Sequence, residues 1–206
     1  MQTGQDHPLP PANFQDRQIE IVTINPPTVL FRIHETAYSP IFFGLPSPHR
    51  FDAPKQYGVI YAGIDEYVAF LETIRGQVRN GLLDRNGRIS EYSISQLTIS
   101  RSIRLVKASG SNLERMGANS GIFATKNRQI TQQWSLACWQ HPQNVDGIIY
   151  PSCHDNERFC VALYSDRVDG ILAIQSTSEI LSNGFSDRLT EITMTYGYSL
   201  FPEIDD

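Results

Sequence analysis

Tyr57-Gly58-Val59-Ile60-Tyr61-Ala62-Gly63-Ile64-Asp65-Glu66-Tyr67-Val68-Ala69-Phe70-Leu71-Glu72-Thr73-Ile74-Arg75 carries two periodicities in succession. Tyr57–Gly63 is rich in β-branched and aromatic residues and reads as a strand. Asp65 then offers a side-chain oxygen to the first turn of a helix over Glu66–Arg75. Within it Tyr67, Phe70, Leu71 and Ile74 recur at i, i+3, i+4 and i+7, which marks a buried stripe. Glu72 falls off that stripe, beside Ala69 and Gly76. Periodicity alone makes it an ordinary solvated carboxylate. Gly76 to Asn80-Gly81 closes the unit.

Upstream, Ile19–Ile24 alternates apolar and polar residues and suits a helix turn or a strand, ended by Pro26-Pro27. Val29–Ile33 is a short β-rich run that carries Arg32. Residues 36–56 hold Pro40, Gly44, Pro46, Pro48 and Pro54, a long irregular connection of the kind that tends to be functional. Residues 1–17 are polar and Pro-rich and read as a loosely held arm before a domain over 18–206. Downstream, Ile94–Lys107 contains two β-like stretches, and Ser111 precedes a short helix over Asn112–Met116. Ile130, Trp134, Ala137 and Cys138 share one face of a helix over Gln129–Trp139. Asp146–Tyr150 and Phe159–Tyr164 read as buried strands, Ile171–Gln175 as a further strand, and Leu189–Tyr196 as a terminal helix or strand. Helices and strands intermix without regular βαβ alternation, which indicates a single α+β domain of mixed small sheets and flanking helices.

The chain has 206 residues, 40% hydrophobic and 19% charged, which excludes a disordered chain. No apolar run approaches the roughly 18 residues of a membrane helix. The formal net charge of −5 gives no bulk attraction to nucleic acid or anionic lipid, so neither is an expected partner. An anion site must then be built from a few placed arginines. The three cysteines, Cys138, Cys153 and Cys160, form no CxxC, and the first residues contain no apolar leader. A reduced, cytoplasmic protein is expected. The five histidines include no HxxxH pair, and no metal site is expected. GxGxxG, P-loop, HExxH and GxSxG patterns are all missing, so residues alone leave an α+β domain with an unassigned ligand.

A set of phrases in order narrows this. Leu30-Phe31-Arg32-Ile33-His34 comes first, then Arg50-Phe51-Asp52-Ala53-Pro54, Tyr57–Ala62 and Ala69-Phe70-Leu71-Glu72-Thr73. Leu105-Val106, Trp134-Ser135, Asp146-Gly147-Ile148-Ile149-Tyr150-Pro151-Ser152 and Cys160-Val161-Ala162-Leu163-Tyr164 follow. Together they resemble the RES-domain family, the toxin component of a bacterial toxin–antitoxin class, over about residues 28 to 166. The family is named for an Arg, a Glu and a Ser, which here match Arg32, Glu72 and Ser152. The resemblance implies a fold similar to that of ADP-ribosylating toxins. It also implies NAD⁺ as a substrate rather than a resident cofactor, consumed by hydrolysis, phosphorolysis or ADP-ribosylation of a protein. A helix-turn-helix antitoxin is the implied partner, and a toxin homodimer is compatible with it. His49, before Arg50, stands where the family often has a small residue. Cys153, after Ser152, stands where it often has Arg, and Arg158 is the nearest later basic residue.

With that implied substrate, the residue types acquire roles. Breaking a nicotinamide–ribose bond passes through an oxocarbenium-like state, and nicotinamide leaves neutral, so a carboxylate rather than a general acid is useful. Glu72 suits that position and could also serve as base toward an acceptor. Arg32 and Arg50 could clamp the pyrophosphate, Tyr61 could stack on the nicotinamide, and Ser152 could bond the ribose or pyrophosphate. His34, two residues beyond Arg32 on one strand face, could reach the adenosine ribose. Each has a plainer alternative: surface ion pairs for the arginines, core packing for Tyr61, a turn for Ser152, a structural role for His34. No His or Asp is spaced to make Ser152 a nucleophile. A protein mono-ADP-ribosyltransferase or a catalytically weak NAD-binding module would use the same residues. All of these readings expect Arg32, Arg50, Tyr61, Glu72 and Ser152 to meet at one pocket.

Overall fold

A computed structural model describes residues 7–43, 49–53, 56–83, 88–123, 125 and 127–200. Its strands are β1 (Ile21–Ile24), β2 (Val29–Glu35), β3 (Val59–Gly63), β4 (Leu82–Leu83), β5 (Tyr92–Ile99), β6 (Ile103–Lys107), β7 (Gly147–Pro151), β8 (Phe159–Tyr164), β9 (Leu172–Glu179) and β10 (Ser199–Leu200). The helices are α1 (Glu66–Ile74), α2 (Ser111–Met116), α3 (Arg128–Trp139), α4 (Ser165–Val168) and α5 (Ser186–Thr195). The α+β class stands. The strands expected as small sheets instead join one eight-stranded sheet in the order β1-β6-β7-β8-β3-β2-β5-β9, beside a two-stranded β10-β4 pair. Within the large sheet only β6 and β7 pair in parallel, and α2 and α3 lie in the crossover between them.

Alternation along β3 shows how the sheet divides the core. Val59 joins Phe51, Tyr57, Ile148, Trp134 and Tyr164 on the face covered by α3. Ile60 points the other way, to Leu30, Leu97, Leu105 and Leu163. A third cluster sets Phe70 and Ile74 of α1 and Leu189 and Ile192 of α5 against Ile33 and Ile94. The stripe read from α1 is buried at Phe70, Leu71 and Ile74, with Tyr67 partly covered, and Glu72 is exposed. Asp65 caps α1 by accepting the Val68 N–H at 2.9 Å.

Several local readings change. Ser111 is the first residue of α2 rather than its cap, and Gly110 precedes it. The ambiguous segments resolve as strand for Ile21–Ile24 and helix for Ser186–Thr195. The loosely held arm is corrected for residues 7–17. Phe14 is buried with its ring edge-on to Trp134, centroids 5.5 Å apart, and the Trp134 indole donates to the Pro8 carbonyl at 2.8 Å. A large apolar ring gains more by covering the indole than by staying in water.

Gly63 sets how closely α1 sits at the end of β3. A Cβ there would lie 2.5 Å from Val68 Cγ1 and 2.7 Å from the Asp65 carbonyl oxygen. Gly63→Ala is therefore expected to destabilise the chain by about 1–3 kcal/mol through overpacking. A urea titration reads this directly, and unchanged stability would mean that α1 has room to move outward.

Candidate functional site

Register brings distant segments to the start of α1. Gly63 on β3 lies opposite Cys160 on β8, and Cys160 lies opposite Tyr150 on β7. The chain just beyond β7 is thus carried across the sheet to the helix that follows β3. A cavity of about 750 Å³ opens here, lined by Arg32 of β2, Tyr61 of β3, Glu72 of α1 and Arg50 of the 49–53 segment. That volume is in the usual range for a small-molecule or cofactor site.

Arg32 is half-buried. Its Nη1 donates to the Tyr61 carbonyl at 2.8 Å, while its buried Nε has no hydrogen-bond partner among the described residues. Loss of solvent lowers the guanidinium pKa from 12.5 to about 10, so it stays charged at neutral pH. Arg50 Nη1 donates to the Phe123 carbonyl at 2.8 Å. No carboxylate among the described residues forms an ion pair with either arginine, so surface pairing does not explain them. A desolvated cation without an anion is costly, and an anionic ligand beside Arg32 would relieve that cost.

The Arg50 segment is pinned rather than loose. The Arg50 carbonyl accepts from Thr131 Oγ1 at 2.5 Å, and the Phe51 carbonyl from Ser135 Oγ at 2.7 Å, both on α3. Buried Asp52 accepts the N–H groups of His49 at 2.7 Å and Val59 at 3.1 Å. Burial pushes its carboxyl pKa up from the usual carboxylate value. Tyr61 Oη accepts the Phe51 N–H at 2.9 Å, and the two rings stack with centroids 6.1 Å apart at 26°. Burial holds the Tyr61 phenol well above its ordinary pKa, so it is neutral.

Glu72 of α1 lines the same cavity. Ser152 Oγ donates to Glu72 Oε1 at 2.6 Å and accepts the His154 N–H at 3.1 Å. Ser152 is buried and meets the cavity wall through this bond to Glu72. Arg158 turns away from the cavity: it donates to Asp65 at 2.7 Å and to Asp155 at 3.2 Å, over the Tyr67 ring. It ties the Ser152 loop to the start of α1. Ser152→Ala leaves one Glu72 oxygen without its charge-assisted donor. It is expected to lower kcat for the reaction proposed below by roughly ten- to a hundredfold with little change in KM, read by initial rates.

His34, expected at the site, is not among the cavity-lining residues. Its Nε2 meets Ser95 Oγ at 2.9 Å and its Nδ1 faces the Glu35 carbonyl at 2.9 Å, so both ring nitrogens are engaged within the sheet. Burial pushes the imidazole pKa below its usual value. Sequence reasoning missed Phe42, Arg128, Tyr150 and Cys160, all on the cavity wall. Tyr150 lies within Asp146–Ser152, where strand periodicity gives it only a core position. Arg128 begins α3 and carries no periodic signal.

The family model described as the RES domain matches residues 29–182. The chain belongs to the RES domain family. The matched span of this RES chain holds Arg32, Glu72 and Ser152. It is 28% identical over 104 residues to "Probable toxin y4kH" of Sinorhizobium fredii (strain NBRC 101917 / NGR234), covering 50% of this chain and 79% of that protein. A chain from the crystal structure of the M. tuberculosis MbcT–MbcA toxin–antitoxin complex superposes with a TM-score of 0.62. That match covers 82% of the RES chain and 92% of the other, at 13% identity, and so speaks for the fold. Among the described residues no helix is long and apolar enough to cross a membrane.

Proposed function

We propose that this RES chain consumes NAD⁺ by breaking the nicotinamide–ribose bond and acts as the toxin of a toxin–antitoxin pair. The observation that carries the reading is that one cavity is lined by two arginines without carboxylate partners among the described residues and by a carboxylate held by Ser152. NAD⁺ has matching chemistry: a pyrophosphate dianion, and a ribose carbon that becomes cationic when nicotinamide leaves. Arg32 and Arg50 take the pyrophosphate through forked N–H donors. Tyr61, stacked on Phe51, gives a neutral aromatic wall for the nicotinamide end.

Chemistry then needs little from the protein beyond placed charge. The C1′–N bond breaks with its electron pair going to nicotinamide, which leaves neutral. Glu72 faces the resulting positive charge, and its orientation by Ser152 avoids reorganisation in the transition state. Water or phosphate then adds to C1′, and Glu72 takes the proton where the acceptor carries one. Likeness to a probable toxin and to a toxin from a toxin–antitoxin complex supports an antitoxin protein as partner, which would act by covering this cavity.

The test is purified chain with NAD⁺, with and without inorganic phosphate, following free nicotinamide and the ADP-ribosyl product. Nicotinamide release with ADP-ribose, or with its 1″-phosphate when phosphate is present, is the expected result. Intact NAD⁺ after prolonged incubation under both conditions would remove the proposal.

A further inference from the structure

Cys153 and His154 follow Ser152 on the loop beyond β7, and both are exposed. Donor atoms of Glu72, Cys153 and His154 all lie within 4.8 Å of one another. We propose that these three side chains form a binding site for a borderline-soft divalent cation of the Zn²⁺ type, and that the bound ion inhibits the enzyme by engaging Glu72. The inhibition rests on the catalytic reading of Glu72; the binding does not.

The donor set is one thiol, one imidazole and one carboxylate. It suits Zn²⁺ or Co²⁺ and disfavours Mg²⁺ and Ca²⁺, which prefer all-oxygen shells. Bonds of about 2.0 Å to N and O and about 2.3 Å to S place tetrahedral donors roughly 3.3–3.5 Å apart. Exposed side chains close the remaining distance by rotamer change. The loop beneath them is already fixed. Ser152 Oγ holds both the Glu72 carboxylate and the His154 N–H, and the Ser152 N–H donates to the Arg158 carbonyl at 2.9 Å. The Arg158 side chain anchors the same loop to Asp65. With Oε1 engaged by Ser152, Oε2 of Glu72 remains to meet the ion.

On binding, the Cys153 thiol loses its proton to solvent and the thiolate sulfur donates to the metal. Of the three cysteines Cys153 is exposed, whereas Cys138 and Cys160 are buried. Burial also pushes the Cys160 thiol far above its ordinary pKa. An ion seated on Glu72 would set a positive charge where the ribose becomes cationic. It would remove the carboxylate's stabilisation and add repulsion.

Co²⁺ titration followed by absorbance tests the binding. The expected result is a complex of one ion per chain with a thiolate-to-cobalt charge-transfer band, discharged by Zn²⁺. Cys153→Ser should abolish the band, and His154→Asn should weaken binding by about tenfold or more, equivalent to roughly 1.4 kcal/mol. In parallel, Zn²⁺ should inhibit nicotinamide release reversibly on chelation. Cys153→Ser should keep its basal rate while needing at least about tenfold more Zn²⁺. An unchanged band in Cys153→Ser, no band at all, or equal zinc sensitivity in wild type and Cys153→Ser overturns the proposal. A cobalt complex in a chain that never releases nicotinamide would keep the metal site and overturn only the inhibition and the function it rests on.

Discussion

Glu72→Gln is expected to lower kcat for nicotinamide release by on the order of a hundred- to a thousandfold while KM for NAD⁺ changes little. The amide is nearly isosteric and can still accept from Ser152 Oγ, so the 2.6 Å contact has a replacement and the fold has no reason to change. Glu72 is exposed and packs in no core cluster, so thermal stability should match wild type. In the proposed reaction, what the variant lacks is negative charge facing C1′ as it becomes cationic. That charge matters more in the transition state than in the bound substrate, and a loss confined to kcat is its signature. Initial rates over a range of NAD⁺ concentrations separate the two parameters. A rise in KM with kcat preserved would reassign Glu72 to ground-state binding.

Arg32→Ala should weaken NAD⁺ binding and kcat/KM together, by about 2–5 kcal/mol if the guanidinium forms a desolvated pair with the pyrophosphate. The free protein should tolerate the change. Arg32 loses a hydrogen bond to the Tyr61 carbonyl, but the variant also removes a partly buried cation and an Nε with no partner among the described residues. Arg32→Lys should rescue poorly, because an ammonium has no planar fork to share between that carbonyl and a phosphate oxygen. Isothermal titration with NAD⁺ in the Glu72→Gln background measures affinity without turnover. Affinity restored in full by lysine would make Arg32 a point charge rather than a fork.

What could be read from the sequence follows the range of the interactions involved. The α1 stripe, its Asp65 cap and the position of Glu72 off that stripe depend on residues within a few positions, and they were legible. Glu72's partner was not, because Ser152 is 80 positions away and reaches it only through the β3–β8–β7 register. Sheet order was hidden for the same reason: β3 lies between β8 and β2, neither adjacent to it in an obvious hairpin. The outer part of β9, Ser176-Thr177-Ser178, has no apolar alternation, so its pairing with β5 leaves no period to find. His34 shares a strand with Arg32, yet Ser95 on β5 captures its ring, a competition that strand periodicity cannot show. The packing of residues 7–17 was hidden because their composition is dominated by prolines and polar residues, while the burial of Phe14 against Trp134 is a long-range contact.

The most direct measurement is a crystal structure of the Glu72→Gln variant soaked with NAD⁺. The expected density places the pyrophosphate between Arg32 and Arg50, the nicotinamide against Tyr61, and a ribose hydroxyl within hydrogen-bond distance of residue 72. A dinucleotide bound outside this cavity, or one whose nicotinamide ribose lies at the far end from residue 72, would contradict the assignment of the site.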